Sequence, residues 1–191
     1  MSDTRRDFLK KAVAGTVGLT LGDEFLSSGA NERIRVAVIG CNSRGASMAG
    51  TFARQLNTEV IYICDVDDVA IQKGIKSVKE VTGKEPAGAR DFRKILDDKN
   101  LDAVYIAAPD HWHAPASILS LKAGKHVYVE KPLSHNPHEG EMLVAAADRY
   151  KRVVQIGTQR RSWPTLAQGI GELKDGIIGK VYMAKTWYTN T

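Results

Sequence analysis

From residue 34 onward the chain alternates between short apolar runs and longer stretches with helical spacing. Residues 34–39 (Ile-Arg-Val-Ala-Val-Ile) are a β-branched apolar run and predict a buried strand. Met48, Phe52 and Leu56 then recur at helical spacing and predict a helix over 47–56. Glu-Val-Ile-Tyr-Ile-Cys at 59–64 predicts a second strand, and Val69, Ile71, Ile75 and Val78 place a helix over 69–81. Gly83 to Gly88 hold turn residues, and 91–96 read as a short helix. A buried strand follows over 101–108, then a helix over 114–123 that stops at Gly124. Residues 126–130 are strand-like, 137–150 are helical with proline near the start, and 153–156 are again strand-like. Strands alternating with helices through short loops predict an α/β fold, a parallel sheet covered on both faces.

The pattern changes after Trp163. Residues 166–173 look helical, Gly176-Ile177-Ile178-Gly179 is a turn, and 181–188 alternate as a new strand would. A lone strand leaves its backbone groups unpaired. The expectation is therefore a first domain over 31–160 and the truncated start of a second over 161–191.

The first thirty residues differ from the rest. Arg5-Arg6-Asp7-Phe8-Leu9-Lys10-Lys11 is basic, 12–21 are small and uncharged, and Ser28-Gly29-Ala30 offers a small-x-small cleavage site. That order is the anatomy of an export signal, and the paired arginines resemble the twin-arginine type, whose route carries folded proteins. Residues 1–30 are thus read as a signal handled by the twin-arginine machinery. The product would be periplasmic or, on the same signal, membrane-associated or extracellular.

Composition narrows the field only slightly. The 191 residues are 43% apolar and 26% charged, which is ordinary for a globular domain. The net charge of +5 is spread among acids rather than clustered, so a solvated surface is expected and not a nucleic-acid patch. No apolar run reaches the roughly 18 residues of a membrane span. Two cysteines, Cys41 and Cys64, do not make a disulfide framework, and free thiols are expected.

The candidate chemistry sits where strands end. Gly40-Cys41-Asn42-Ser43-Arg44-Gly45 follows the first strand and opens the first helix. A dinucleotide turn needs that context, because free N–H groups at a helix start face the pyrophosphate. Gly40 can make the bend, Asn42 can stand in a left-handed conformation where glycine is usual, and Gly45 permits close packing. Ser43 and Arg44 add a hydroxyl and a cation. Asp65 ends the second strand, 25 residues after Gly40, where an acid would bond ribose hydroxyls. A carboxylate repels a 2′-phosphate, which favours NAD, while Arg44 leaves NADP open.

Two further strand ends carry polar groups. Ala107-Ala108-Pro109-Asp110-His111-Trp112-His113 offers small residues that let a cofactor ring approach. Its histidines are read as cofactor-adjacent groups and not as metal ligands, since an i, i+2 pair in a loop is a weak metal site. Tyr128-Val129-Glu130-Lys131-Pro132 puts a lysine at a strand's edge, before a proline that can be cis. Lys131 there can polarise a substrate hydroxyl or stabilise its alkoxide. The plain alternative is a surface ion pair between Glu130 and Lys131.

Together, Val-Ala-Val-Ile-Gly-Cys-Asn-Ser-Arg-Gly, Ala-Pro-Asp-His-Trp-His, Val-Glu-Lys-Pro and Gly-Ile-Ile-Gly-Lys-Val resemble the glucose-fructose oxidoreductase/inositol dehydrogenase (Gfo/Idh/MocA) family, over about 34–181. The resemblance implies a Rossmann-type doubly wound domain and a C-terminal α/β domain whose open sheet holds substrate and forms a homo-oligomer. It implies NAD(P)-dependent oxidation or reduction of a sugar, polyol or related carbohydrate. Glu130 and Lys131 match the family's Glu-Lys-Pro, with the lysine near nicotinamide and substrate. The loop 109–113 matches its cofactor-facing loop, and Gln159 with Arg160 resemble a polar segment bordering the active site. An acid/base Asp and His usual in the second domain have no counterpart before Thr191, so this chain alone is expected to be inactive. An exported member would carry its cofactor tightly bound and recycle it within one turnover. Two other readings stand beside the dehydrogenase: an NAD-dependent glycosidase that oxidises a sugar transiently, and a non-catalytic dinucleotide-binding or sugar-sensing module.

Overall fold

The computed structural model describes residues 33–187. The export signal expected over 1–30 lies outside the described residues. Six strands form one sheet: β1 Ile34–Ile39, β2 Thr58–Cys64, β3 Ala87–Ala89, β4 Ala103–Ile106, β5 His126–Glu130 and β6 Val154–Gly157. Their order is β3-β2-β1-β4-β5-β6 and every neighbouring pair is parallel. The chain winds outward from β1 to β3, returns, and winds the other way from β4. The reversal leaves a crevice at the C-terminal ends of β1 and β4, where ligands of such sheets bind.

The helices are α1 Arg44–Ala53, α2 Asp68–Thr82, α3 Phe92–Ile95, α4 His113–Lys122, α5 Pro137–Tyr150 and α6 Pro164–Lys174. Alternation along β1 explains why both faces of the sheet are covered. Val36 and Val38 point to one face, with Ile63 and Tyr105, and pack under Ala49 of α1 and Ala70, Ile71 and Val78 of α2. Ala37 and Ile39 point to the other, with Val104, Ile106 and Val129, and pack under Leu121 of α4 and Leu143 and Ala146 of α5. Each valine, leucine or isoleucine among them, taken fully out of water, contributes roughly 1.5–3 kcal/mol. Three of the described helices have side-chain caps that fix where they start, Asp91 accepting from the Arg93 amide at 3.0 Å for α3. Asp67 accepts from the Val69 amide at 2.9 Å for α2, and Asn136 accepts from the Glu139 amide at 3.0 Å for α5.

Three elements depart from the sequence pattern. Ala87–Ala89, read as part of a turn, is an edge strand paired with Tyr62–Cys64. Ala-Gly-Ala carries no hydrophobic signal, and the unpaired edge of β2 is what organises it. Helix α1 begins at Arg44, three residues before the expected start at 47. Residues 181–187 form no strand among the described residues, and Val181, Tyr182, Met183 and Trp187 are exposed. They have no strand beside them to supply ladder partners, so alternation alone does not make a strand there.

Candidate cofactor and active site

The turn between β1 and α1 is shaped by two missing side chains. Gly40 has φ +84°, and its amide donates to the Cys64 carbonyl at 2.8 Å. A Cβ on Gly40 would lie 2.5 Å from the Ala108 nitrogen, and one on Gly45 would lie 1.7 Å from the Gly40 oxygen. The start of α1 is therefore pressed directly onto the turn, and the turn onto the end of β4. The left-handed conformation expected at Asn42 is taken by Gly40 instead. Asn42 is exposed, and its Oδ1 accepts from Lys73 Nζ at 2.7 Å. Ser43 is the N-cap of α1, yet its hydroxyl makes no capping bond. The first-turn amides thus have no side-chain acceptor among the described residues, at the positive end of the helix dipole.

Asp65, directly after β2, braces the same turn. Its Oδ2 accepts from the Cys41 amide at 2.6 Å and its Oδ1 from the Asp67 amide at 3.1 Å. Each oxygen keeps a lone pair for a further donor. A cavity of about 320 Å³ opens beside it, and Gly40, Asp65, Ala108, Pro109 and His111 are all on its wall. Arg90, Phe92 and Trp112 line it too, with the two rings edge-on at 6.1 Å. Sequence reasoning did not single out these three. Arg90 and Phe92 come from the segment after β3 and Trp112 from the turn after β4, and the sheet brings the two segments together. Cys41 and Cys64 are free and buried beneath the turn. Burial, with the Asp65 charge adding, pushes both thiols up to about 12, so neither is a nucleophile.

Beneath the other side of the crevice lies a polar network centred on Glu130, which is only 5% exposed. Its Oε1 accepts from Arg44 Nε at 3.0 Å and from the Tyr105 hydroxyl at 2.6 Å, and its Oε2 accepts from Gln159 Nε2 at 2.9 Å. Burial alone would raise the Glu130 carboxyl. The bonds from Tyr105, Arg44 and Gln159, with the Arg44 charge, outweigh it and hold the carboxyl below its ordinary value. Burial and the bond to Glu130 raise the Tyr105 hydroxyl. Tyr105 also packs with Phe52 and Tyr128, at ring separations of 5.2 and 5.5 Å. Gln159 has φ +41°, an uncommon conformation for a non-glycine residue, held here beside its bond to Glu130.

The ion pair considered between Glu130 and Lys131 is absent among the described residues. Glu130 pairs with Arg44 instead, 86 positions away in sequence. Lys131 is exposed, has no side-chain partner among the described residues, and precedes a cis peptide bond to Pro132. The two histidines of the β4 loop are divided. His111 reaches the cavity, whereas His113 is 1% exposed and does not line it. Its ring nitrogens lie on the carbonyls of Pro132 and Ala108, at 2.5 and 2.8 Å. This placement moves His113 from the expected cofactor-facing set into the framework behind it.

Residues 34–158 match the model of GFO/IDH/MocA, an oxidoreductase family with an NAD-binding Rossmann fold. The chain belongs to this family. Among similar proteins, a glycosyl hydrolase family 109 protein of Saccharopolyspora erythraea is 33% identical over 157 residues, covering 80% of this chain and 34% of that protein. An alpha-N-acetylgalactosaminidase of Shewanella oneidensis is 28% identical, covering 78% of this chain and 38% of its own length. Among solved structures, KijD10, a 3-ketoreductase from Actinomadura kijaniata in complex with TDP-benzene and NADP, superposes with a TM-score of 0.67 at 30% identity. That match covers 78% of this chain and 45% of KijD10. The chain thus spans between a third and a half of the length of these relatives. The family's cofactor is a nicotinamide dinucleotide, and the residues present fit it. Side chains at 40 and 45 would collide with the backbone that shapes the turn, the helix start lacks a side-chain cap, and an acid stands at the end of β2 beside the cavity.

Proposed function

We propose that the protein is an NAD(P)-dependent oxidoreductase acting at a carbon–oxygen centre of a sugar, polyol or related carbohydrate. The observation that carries this reading is Lys131: a cation with no side-chain partner among the described residues, directly after β5 and next to Glu130, which is bound by Arg44 of the helix that opens at the glycine turn. When bound, the nicotinamide ring supplies the hydride acceptor or donor. The chain does the rest. Amides at the start of α1 receive the pyrophosphate, and Arg44 stands at that same helix start. Asp65 keeps lone pairs for a ribose hydroxyl. Glu130 accepts three hydrogen bonds already and serves as an anchor, not as an acid or base. Lys131 stabilises the alkoxide formed as a substrate hydroxyl gives up its proton to solvent, and that oxygen becomes a carbonyl as hydride leaves its carbon. In the reverse direction it donates to the carbonyl oxygen that accepts hydride at carbon.

The test is absorbance at 340 nm with the protein purified together with its second domain, NAD⁺ and myo-inositol or another polyol. Net NADH that disappears in Lys131→Met supports the reading. NADH formation unaffected by that change removes Lys131 from the chemistry.

The curated relatives favour one second reading, an NAD-dependent glycosidase. In it the sugar is oxidised, the glycosidic oxygen eliminated, water added and the product reduced, with no net change in cofactor. Release of p-nitrophenol from p-nitrophenyl N-acetyl-α-galactosaminide without accumulation of NADH distinguishes it. Both readings include export through the twin-arginine route and a homo-oligomer formed by a second domain. Replacing Arg5 and Arg6 by lysine would leave the precursor in the cytoplasm if the first part holds.

A further inference from the structure

Lys131 has no side-chain partner among the described residues, so its place there is set by its backbone. Both chain neighbours of that lysine are pinned. On one side Glu130 is fixed by Arg44, Tyr105 and Gln159. On the other, the Pro132 carbonyl sits 2.5 Å from Nδ1 of the buried His113. The second nitrogen of the same ring lies 2.8 Å from the Ala108 carbonyl, so a ring with one N–H donates to one of these two carbonyls and packs directly against the other. Ala108 is the residue against which the cofactor turn is pressed: a Cβ on Gly40 would lie 2.5 Å from its nitrogen. The neighbouring Ala107 amide also donates to the Ile39 carbonyl at 2.8 Å, just before that glycine. One imidazole therefore joins the cradle, through the end of β4, to the lysine turn.

His113 is itself held firmly. It opens α4, its carbonyl accepts from the Ser117 hydroxyl at 2.6 Å, and both residues are buried. Each ring nitrogen faces a carbonyl that can only accept, so neither is spare for a ligand.

The geometry points to His113 as a positioning residue that couples occupancy of the cofactor cradle to the placement of Lys131. This rests on the proposed roles of the cradle and of Lys131. It is a claim about coupling and not about stability, so hydrogen exchange of the full chain can read it without a known substrate. In the wild type, NADH at about 100 times its dissociation constant slows exchange roughly 10-fold or more at the amides of 41–46 and, together with them, at Lys131 and 133–135. In His113→Leu, slowing persists at 41–46 and is lost at 131–135. His113→Gln keeps a donor and a buried polar group, and gives an intermediate result that remains readable if the leucine variant fails to fold. A merely structural histidine would instead raise exchange in both segments irrespective of NADH.

The inference is overturned if NADH leaves 131–135 unchanged in the wild type, or if both variants keep the slowing there. No slowing at 41–46 in the wild type would remove the cofactor reading and this inference with it. Turnover surviving in Lys131→Met would remove the lysine's chemistry alone and leave the coupling standing.

Discussion

At the β1–α1 turn, space is the limiting quantity. Gly40 and Gly45 exist so that backbone can touch backbone, where any side chain would collide with it. Beneath the tip of β5 the limiting quantity is hydrogen-bonding capacity. Glu130 is buried, charged and surrounded by donors from α1, β4 and the segment after β6. The first region tolerates no added atom, and the second tolerates no lost acceptor. The contrast teaches that one crevice can be built by two kinds of constraint, which respond to different substitutions.

Four substitutions or treatments probe that contrast. The largest effect is expected from Lys131→Met, which should reduce turnover by roughly 10³-fold with NAD(H) affinity within about twofold. Steady-state kinetics and cofactor fluorescence read the two separately. Gly45→Ala should follow, at about 3 kcal/mol of lost stability in urea unfolding, because its Cβ would lie 1.7 Å from the Gly40 oxygen. An alanine variant of normal stability would show that the turn can relax and would weaken the steric half of the comparison.

Glu130→Gln should cost about 2 kcal/mol, since one amide oxygen cannot replace a carboxylate that serves Arg44, Tyr105 and Gln159. It should also change the acid limb of the stability curve. Glu130 is depressed in the folded state, so its contribution is complete above its unfolded value of about 4.3 and is lost as pH falls through the folded one. The variant should lose less stability in that window than the wild type, and parallel curves would mean the network is weaker than its geometry suggests. The smallest effect concerns the thiols. With both held at about 12, Cys41 and Cys64 should resist a thiol reagent at pH 8 until the chain unfolds.

Much of the sheet was legible because its strands carry their own signal. Residues 34–39, 59–64 and 126–130 are apolar or β-branched enough to be recognised alone. Strand β3 was not legible, since Ala-Gly-Ala becomes a strand only because β2 has a free edge. The start of α1 was missed for a related reason: Arg44, Gly45 and Ala46 have no helical apolar spacing, and the helix there is set by packing on Gly40. In the site, the glycines, Asp65, Glu130 and Gln159 were legible as polar or permissive residues at strand ends. Tyr105 was not. It reads as one more apolar strand residue, and its hydroxyl finds a partner only 25 positions later. His113 was visible as chemistry, but a loop sequence does not say whether a ring faces the crevice or the frame behind it. Asn42 was assigned a backbone role that Gly40 performs, which left its side chain to bond Lys73.

The double grip of Asp65 on the Cys41 and Asp67 amides bears on any attempt to redesign coenzyme preference. Exchanging this acid for a neutral or basic residue, to welcome an extra phosphate, also strips an acceptor from the loop that must cradle the rest of the molecule. Selectivity and affinity are therefore tied to one carboxylate. A redesign that succeeds will have to introduce a substitute acceptor for the Cys41 amide at the same time as it removes the charge.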